Sequence, residues 1–226
     1  MHLPISDKIE LNILHQNSHQ AEKNKVKFND FNLLCLNIMS SPGAGKTRLL
    51  EITLEDLSKE FQSAVLEGDM TTNLDAARLK KLNIPVVPIT TGRACHLDAN
   101  MVSGGLKILE KKINPYLLDI LLVENVGNLV CPAEFEIGEH FKIALLSITE
   151  GEDKPLKYPI MFREADLILI TKVDLLPHLN FDINELKSNI SSTNPKAEVI
   201  EISSITKSGL DLWQKWIRKK IQKFKK

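Results

Sequence analysis

The stretch from Asn37 to Leu50, NIMSSPGAGKTRLL, decides the fold of this chain. It follows the apolar run LLCLNIM (residues 33–39) and opens a stretch with helical periodicity, the strand-then-helix context that a phosphate-binding loop requires. The consensus GxxxxGK(S/T) begins with glycine, where this chain has Ser40; Pro42, Gly43, Ala44, Gly45, Lys46 and Thr47 match the rest. Gly43 and Gly45 permit positive φ, so successive backbone N–H groups can turn inward toward phosphate oxygens. The helix that follows directs its positive end at the same anion. Lys46 would neutralise the β- and γ-phosphates, Thr47 would ligate Mg²⁺, and the adjoining Arg48 joins the nucleotide contacts.

Outward from this loop the pattern repeats. Apolar runs of strand length recur as SAVLE, VVPI, DILLVE, KIALLSI, LILIT and AEVIEIS. Helical stretches over Thr47–Phe61, Leu74–Leu82, Leu97–Lys111, Asn184–Ser191 and Leu210–Phe224 separate most of them. Continuous apolar runs suit strands covered on both faces, and strand–helix alternation predicts a mostly parallel sheet flanked by helices on both sides. Residues 31–226 therefore form one α/β domain. Residues 1–30, with the polar centre HQNSHQAEKNKVK, are expected to form an N-terminal helix and linker that buries little.

The 226 residues are 43% hydrophobic and 26% charged, with 29 basic against 29 acidic residues, so no overall field favours nucleic acid or an acidic membrane. No apolar run reaches spanning length and no signal-peptide core opens the chain, which predicts a cytoplasmic protein with neither nucleic-acid nor membrane partner. Three cysteines, Cys35, Cys95 and Cys131, are too few and too odd for a disulfide framework. Cys35 reads as a buried strand residue.

The run LILITKVDLL carries Thr171, Lys172 and Asp174 in the spacing (N/T)KxD. A carboxylate there can accept from guanine N1–H and the N2 amino group together, whereas adenine offers no such pair, so Asp174 selects GTP over ATP. The stem of Lys172 can cover the base. In EISSITKSG, Ser203 and Ser204 fall where guanine O6 would lie. Glu124 ends DILLVENVG and forms ExxG with Gly127, whose N–H could sense the γ-phosphate. Glu124 and Asp69, which ends AVLEGD, are assigned to Mg²⁺ together with Thr47. Asp75, in TTNLDAARL, is a candidate for positioning the attacking water; the alternative is a helix-surface pair with Arg78 three residues on. Lys46, Asp75 and Glu124 make up the catalytic set.

TTGRACHLDAN (residues 90–100) sets Cys95 beside His96. Alone, the pair is open between a metal site, a nucleophile and base, and two adjoining polar residues. The motifs SSPGAGKT, EGDMTTNLDAARL, TTGRACHLDANMV, ENVGNLVCPAEF, SITEGEDKPLKYP and TKVDLLP together resemble the HypB family of hydrogenase maturation GTPases, over about residues 33–215. The resemblance implies a SIMIBI-class P-loop GTPase that dimerises with GTP and holds Ni²⁺ (or Zn²⁺) at the dimer interface. It gives Cys95 and His96 a third ligand, Cys131. It also implies delivery to a hydrogenase large subunit with a HypA-like partner.

Many members of that family carry an N-terminal CxxCGC motif or a His-rich tract. This chain has neither, offering only His2, His15 and His19. His140 and His178 are read as surface residues. Two rival functions remain: a urease-type nickel GTPase, and a non-catalytic metal-binding module for which GTP is only a structural ligand.

Overall fold

The computed structural model describes residues 5–71 and 74–225, with side chains from residue 12 onward. His2 lies outside the described residues, as do Thr72 and Asn73 within the segment between Asp69 and Asp75. The strands are β1 (Leu34–Ser40), β2 (Ser63–Asp69), β3 (Val86–Thr90), β4 (Ile120–Glu124), β5 (Phe141–Ser147), β6 (Leu167–Thr171) and β7 (Glu198–Ile202). They form one seven-stranded sheet in the order β3-β2-β4-β1-β5-β6-β7, and each pairing is parallel. Every apolar run predicted as a strand is one. The order turns about β1, so its carboxyl end faces the crevice where open α/β sheets bind ligands.

The helices are α1 (Ile5–Asp30), α2 (Lys46–Leu57), α3 (Leu74–Lys80), α4 (Ala99–Glu110), the single turns α5 (Cys131–Glu134), α6 (Lys154–Lys157) and α7 (Pro159–Arg163), then α8 (Ile183–Thr193) and α9 (Leu210–Phe224). Because successive strand residues point to opposite faces, β1 sends Leu34, Leu36 and Ile38 to one side with Leu49, Leu54, Trp213 and Ile217. Trp213 also donates its indole N–H to Thr53 at 2.9 Å, so the α2–α9 contact buries no idle donor. The opposite face splits in two. Cys35, Leu121 and Val123 pack under α4 and the end of α1, while Ala144, Leu146, Ile168 and Ile170 pack under α7 and α8. Cys35 is fully buried, as expected.

Helix α1 is not the loosely attached segment that its polarity suggested. Asn17, Ala21, Asn24 and Phe28, spaced four, three and four residues apart, form one buried stripe against the domain. Phe28 joins the core beside Leu33 and Leu121. The expected boundary between residues 30 and 31 therefore cuts through a packed unit. His140 is also corrected. Its Nδ1 accepts from the Cys35 backbone N–H at 2.9 Å, and burial pushes its pKa down to about 4. His178 is exposed, as read.

Candidate functional site

Two sites share the carboxyl rim of the sheet. The first is a cleft of about 450 Å³ lined by the phosphate loop, the ends of β2 and β4, and the start of α3. Pro42, Gly43, Gly45, Lys46, Thr47, Arg48, Asp69, Asp75, Glu124 and Gly127, all singled out in the sequence, meet in its wall. Gly43 and Gly45 have φ of 77° and 96°, the left-handed conformations that aim the loop amides inward. Ser40, at the consensus glycine, accepts the Lys46 ammonium at 2.8 Å and holds it over the loop. Burial draws the Lys46 pKa down, and Glu124 and Asp75 oppose that shift. Gly127 sits hard on the loop: a Cβ there would lie 2.9 Å from Pro42 Cα.

At the floor, the Thr47 hydroxyl donates to Glu124 Oε1 at 2.6 Å. Glu67 pairs with Glu124 across the β2–β4 register. Both carboxylates are buried, and one oxygen of each (Oε2) finds no hydrogen-bond partner among the described residues. Burial, with Glu124 and Asp69 nearby, pushes Glu67 up to about 8. Burial also raises Glu124 to about 7 against the Thr47 hydroxyl and Lys46. Hard oxygen donors with unsatisfied lone pairs beside a phosphate loop fit Mg²⁺. Asp75 lines the cleft and is also ion-paired with Arg78 at 2.9 Å, so the helix-surface pair weighed in the sequence does form. Arg78 in turn binds Glu51, which Arg48 also reaches.

The residues predicted to recognise the base gather on the far side of the phosphate loop. Thr171 donates its hydroxyl to Ala44 O at 2.8 Å, tying the end of β6 to that loop. Lys172 adopts φ 60°, which turns the chain sharply before Asp174. Asp174 Oδ1 accepts from the buried Ser203 hydroxyl at 2.5 Å, and Ser203 Oγ also accepts the backbone N–H groups of Ile205 and Thr206. Ser203 thus orients the aspartate, a more specific part than proximity to a base. Ser204 is half-exposed beside it.

The second site is the thiol–imidazole cluster. Ligand atoms of Cys95, His96 and Cys131 lie within 4.8 Å of one another. The two sulfurs are 2.9 Å apart, too far for a disulfide. His96 Nδ1 is 3.8 Å from Cys95 Sγ, and its ring lies against Phe135, tilted by 34° with the centroids 4.1 Å apart. Cys131 opens α5, with the Asn128 amide 3.7 Å from its sulfur. Burial and the neighbouring Cys95 push Cys131 up to about 11, and burial draws His96 down. Both shifts favour the neutral forms of Cys131 and His96, so a metal taken up by Cys131 would displace its thiol proton. His15 and His19 are exposed on α1 and do not join this cluster.

Asn125 connects the two sites. Its side-chain oxygen accepts from Leu97 N and Val126 N, each at 2.9 Å, and its amide donates to Asn37. Neither Asn125 nor Glu67 was singled out in the sequence. Glu67 was detectable, since it lies two residues before Asp69 and so on the same strand face. Asn125 carries no such signal.

A phosphate loop at the turning point of a parallel sheet, with the (N/T)KxD loop on one side and a thiol–imidazole cluster on the other, defines a P-loop nucleotide-binding protein with a cluster of residues that could hold a metal ion. Residues 34–201 match the model of the CobW/HypB/UreG nucleotide-binding domain. The chain belongs to that family, on its HypB branch. It is 48% identical over 212 residues to the hydrogenase maturation factor HypB of Azotobacter vinelandii, covering 94% of this chain and 69% of that protein. It is 41% identical to the hydrogenase/urease maturation factor HypB of Helicobacter pylori strain 26695, covering 94% and 87%. Its structure is similar to the crystal structure of HypB from Helicobacter pylori in complex with nickel, with TM-score 0.88, 40% identity and 92% and 96% of the two chains covered. HypB from Archaeoglobus fulgidus gives TM-score 0.85, 36% identity and 92% and 99% coverage. At the level of fold alone, the signal recognition particle 54 kDa protein of Aeropyrum pernix K1 is similar, with TM-score 0.53 at 10% identity over 76% of this chain and 42% of that one. Among the described residues no helix is long and apolar enough to cross a membrane.

Proposed function

We propose that this chain is a GTP-hydrolysing metallochaperone that dimerises with GTP, carries nickel, and delivers it during hydrogenase maturation. The observation that carries this reading is one short segment: Glu124, bonded to Thr47 in the nucleotide cleft, ends β4, and Cys131, against Cys95 in the thiol cluster, ends the loop that follows it. Loss of the γ-phosphate would remove the acceptor of the Gly127 N–H and let this segment move, and a metal ligand with it.

In this reading the loop amides and Lys46 bind the phosphates, with Arg48 at the rim, and Asp174, oriented by Ser203, selects guanine. Thr171, Lys172 and Ser204 frame the base. Thr47, Asp69 and Glu124, joined by Glu67, hold Mg²⁺. Once bound, that ion would neutralise charge on the phosphate oxygens. Asp75 positions the attacking water after Arg78 gives it up. Cys95, His96 and Cys131 supply three soft donors to Ni²⁺ or Zn²⁺, leaving a coordination position for a second copy or a receiving protein. The receiving proteins in this reading are a HypA-like partner and the hydrogenase large subunit.

A urease-type nickel GTPase is disfavoured because such proteins carry Cys-Pro-His, whereas here His96 directly follows Cys95. The test is a Ni²⁺ titration with and without GTPγS, read by metal stoichiometry and dimer fraction together. One metal per two chains, dependent on nucleotide, is expected. Metal binding indifferent to nucleotide, with GTP turnover equal to that of Lys46→Ala, would instead establish the non-catalytic module.

A further inference from the structure

The two loops that carry the metal ligands meet through Asn125 and Leu97, and helix α1 holds both of them as well. Asn24 Nδ2 donates to Ala99 O at 2.8 Å and to Ile137 O at 3.0 Å. One helical repeat earlier, Asn17 Nδ2 donates to Glu136 O at 2.8 Å, and Asn17 Oδ1 accepts from Ala99 N at 2.9 Å. Each asparagine therefore bridges the chain just after Cys95-His96 to the chain just after Cys131. Ala99 is the first residue of α4, so its N–H has no acceptor within its own helix and depends on Asn17.

The seat for this helix is built on the same loop. Gly138 has φ 94°, and a Cβ there would stand 2.6 Å from Ala21 O and 2.8 Å from Asn24 Cβ. Both asparagines are almost wholly buried, at 5% and 1% exposure, so their amides have no water to exchange with. An apolar residue would seal the α1 contact equally well. Two asparagines seven residues apart serve the four backbone groups of the ligand loops instead.

We propose that Asn17 and Asn24 are positioning residues for the Cys95–His96–Cys131 cluster, holding its two loops in register so that the sulfurs stay converged. This rests on the metal reading above. Groups that orient metal ligands from outside the coordination sphere change affinity about 10–100-fold when removed.

The experiment compares the full chain with Asn17→Ala, with Asn17→Ala/Asn24→Ala, and with Lys27→Ala. The last breaks the 2.9 Å Lys27–Glu110 ion pair of the same helix away from the ligand loops. Three readouts are taken with GTPγS present: Ni²⁺ affinity, the thiolate-to-nickel charge-transfer spectrum, and capture of phenylarsine oxide, which bridges two close thiols without nickel. Cys35 is fully buried and does not interfere. Expected for the double variant are Ni²⁺ binding weaker by about tenfold or more, a shifted charge-transfer band and reduced arsenical capture, with Lys27→Ala like the unmodified chain. The single variant, which keeps the Asn24 bridge, falls between. Unchanged spectrum, affinity and capture in the double variant would overturn the inference, as would an equal loss in Lys27→Ala. If the unmodified chain binds no nickel but arsenical capture still falls only in the asparagine variants, the chaperone reading fails and the positioning role stands.

Discussion

Glu67 and Glu124 are neighbours across the β2–β4 ladder, each with a buried oxygen that nothing described in the protein satisfies. Lys46, Arg78, Asp69 and Asp75 face the same cleft, and their charges do not bring either carboxyl down to its usual range. With pKa values raised from 4.5 to about 8 and about 7, the folded state holds protons that the unfolded chain has released. The sign follows. The penalty is absent below about pH 4.5, grows as pH rises, and is complete above the folded values. Discounted for the coupling between the two, the Glu67 share costs roughly 2–4 kcal/mol at pH 9. The melting temperature of the nucleotide-free protein should therefore fall by roughly 5–15 °C more between pH 5 and 9 than that of Glu67→Gln. Thermal scans across that range decide it, and parallel curves for the two proteins would show that Glu67 is already ionised. Magnesium with nucleotide should recover more stability at pH 8 than at pH 6.

At the scale of elements, the segment after β4 carries the link, the proposed γ-phosphate sensor and the proposed ligand in turn: Asn125 against Leu97, Gly127 against Pro42, and Cys131 against Cys95. Asn125→Ala leaves the buried N–H groups of Leu97 and Val126 without their acceptor, each worth about 1–3 kcal/mol. A stability loss of about 2–4 kcal/mol in denaturant unfolding is expected. More tellingly, GTPγS should no longer tighten nickel binding, because the cleft and the Cys95 loop lose their direct connection. A variant that is destabilised yet keeps the full nucleotide effect on nickel would place the coupling elsewhere. These elements also mark how far the chain could be read without coordinates. Strand-length apolar runs and NIMSSPGAGKTRLL suffice for the sheet, its parallel sense and the phosphate loop, because period and spacing are local properties. Lys46, Thr47 and Glu124 meet as expected because strand ends converge on one rim. Asn125 was not legible, since a buried amide that serves two distant loops looks in sequence like any polar residue after a strand. The Asp174–Ser203 bond required knowing that β6 and β7 are neighbours.

At the scale of the whole molecule, α1 is where sequence pattern misleads. Its buried stripe is Asn17, Ala21, Asn24 and Phe28, and two of those four positions are polar, so the face disappears from any count of apolar residues. The polarity is the reason the helix docks: the asparagines satisfy four backbone groups on the two ligand loops, and Phe28 completes the core above Leu33 and Leu121. Removing residues 1–30 would open the Phe28 site, at a cost of about 3–5 kcal/mol, and strand Ala99 N, Ala99 O, Glu136 O and Ile137 O. Water would reach part of that surface, so the sum is smaller than the parts, yet it should still lower the melting temperature by at least about 10 °C. Amide exchange should quicken along α4, which α1 covers, and stay slow in α8 and α9, which pack chiefly on other parts of the sheet. A chain beginning at residue 31 with the melting temperature and α4 protection of the full protein would return α1 to the status of an appendage. The opposite result makes α1 a structural part of the nucleotide domain, and ties the domain's stability to the same contacts that hold the two loops of the thiol–imidazole cluster together.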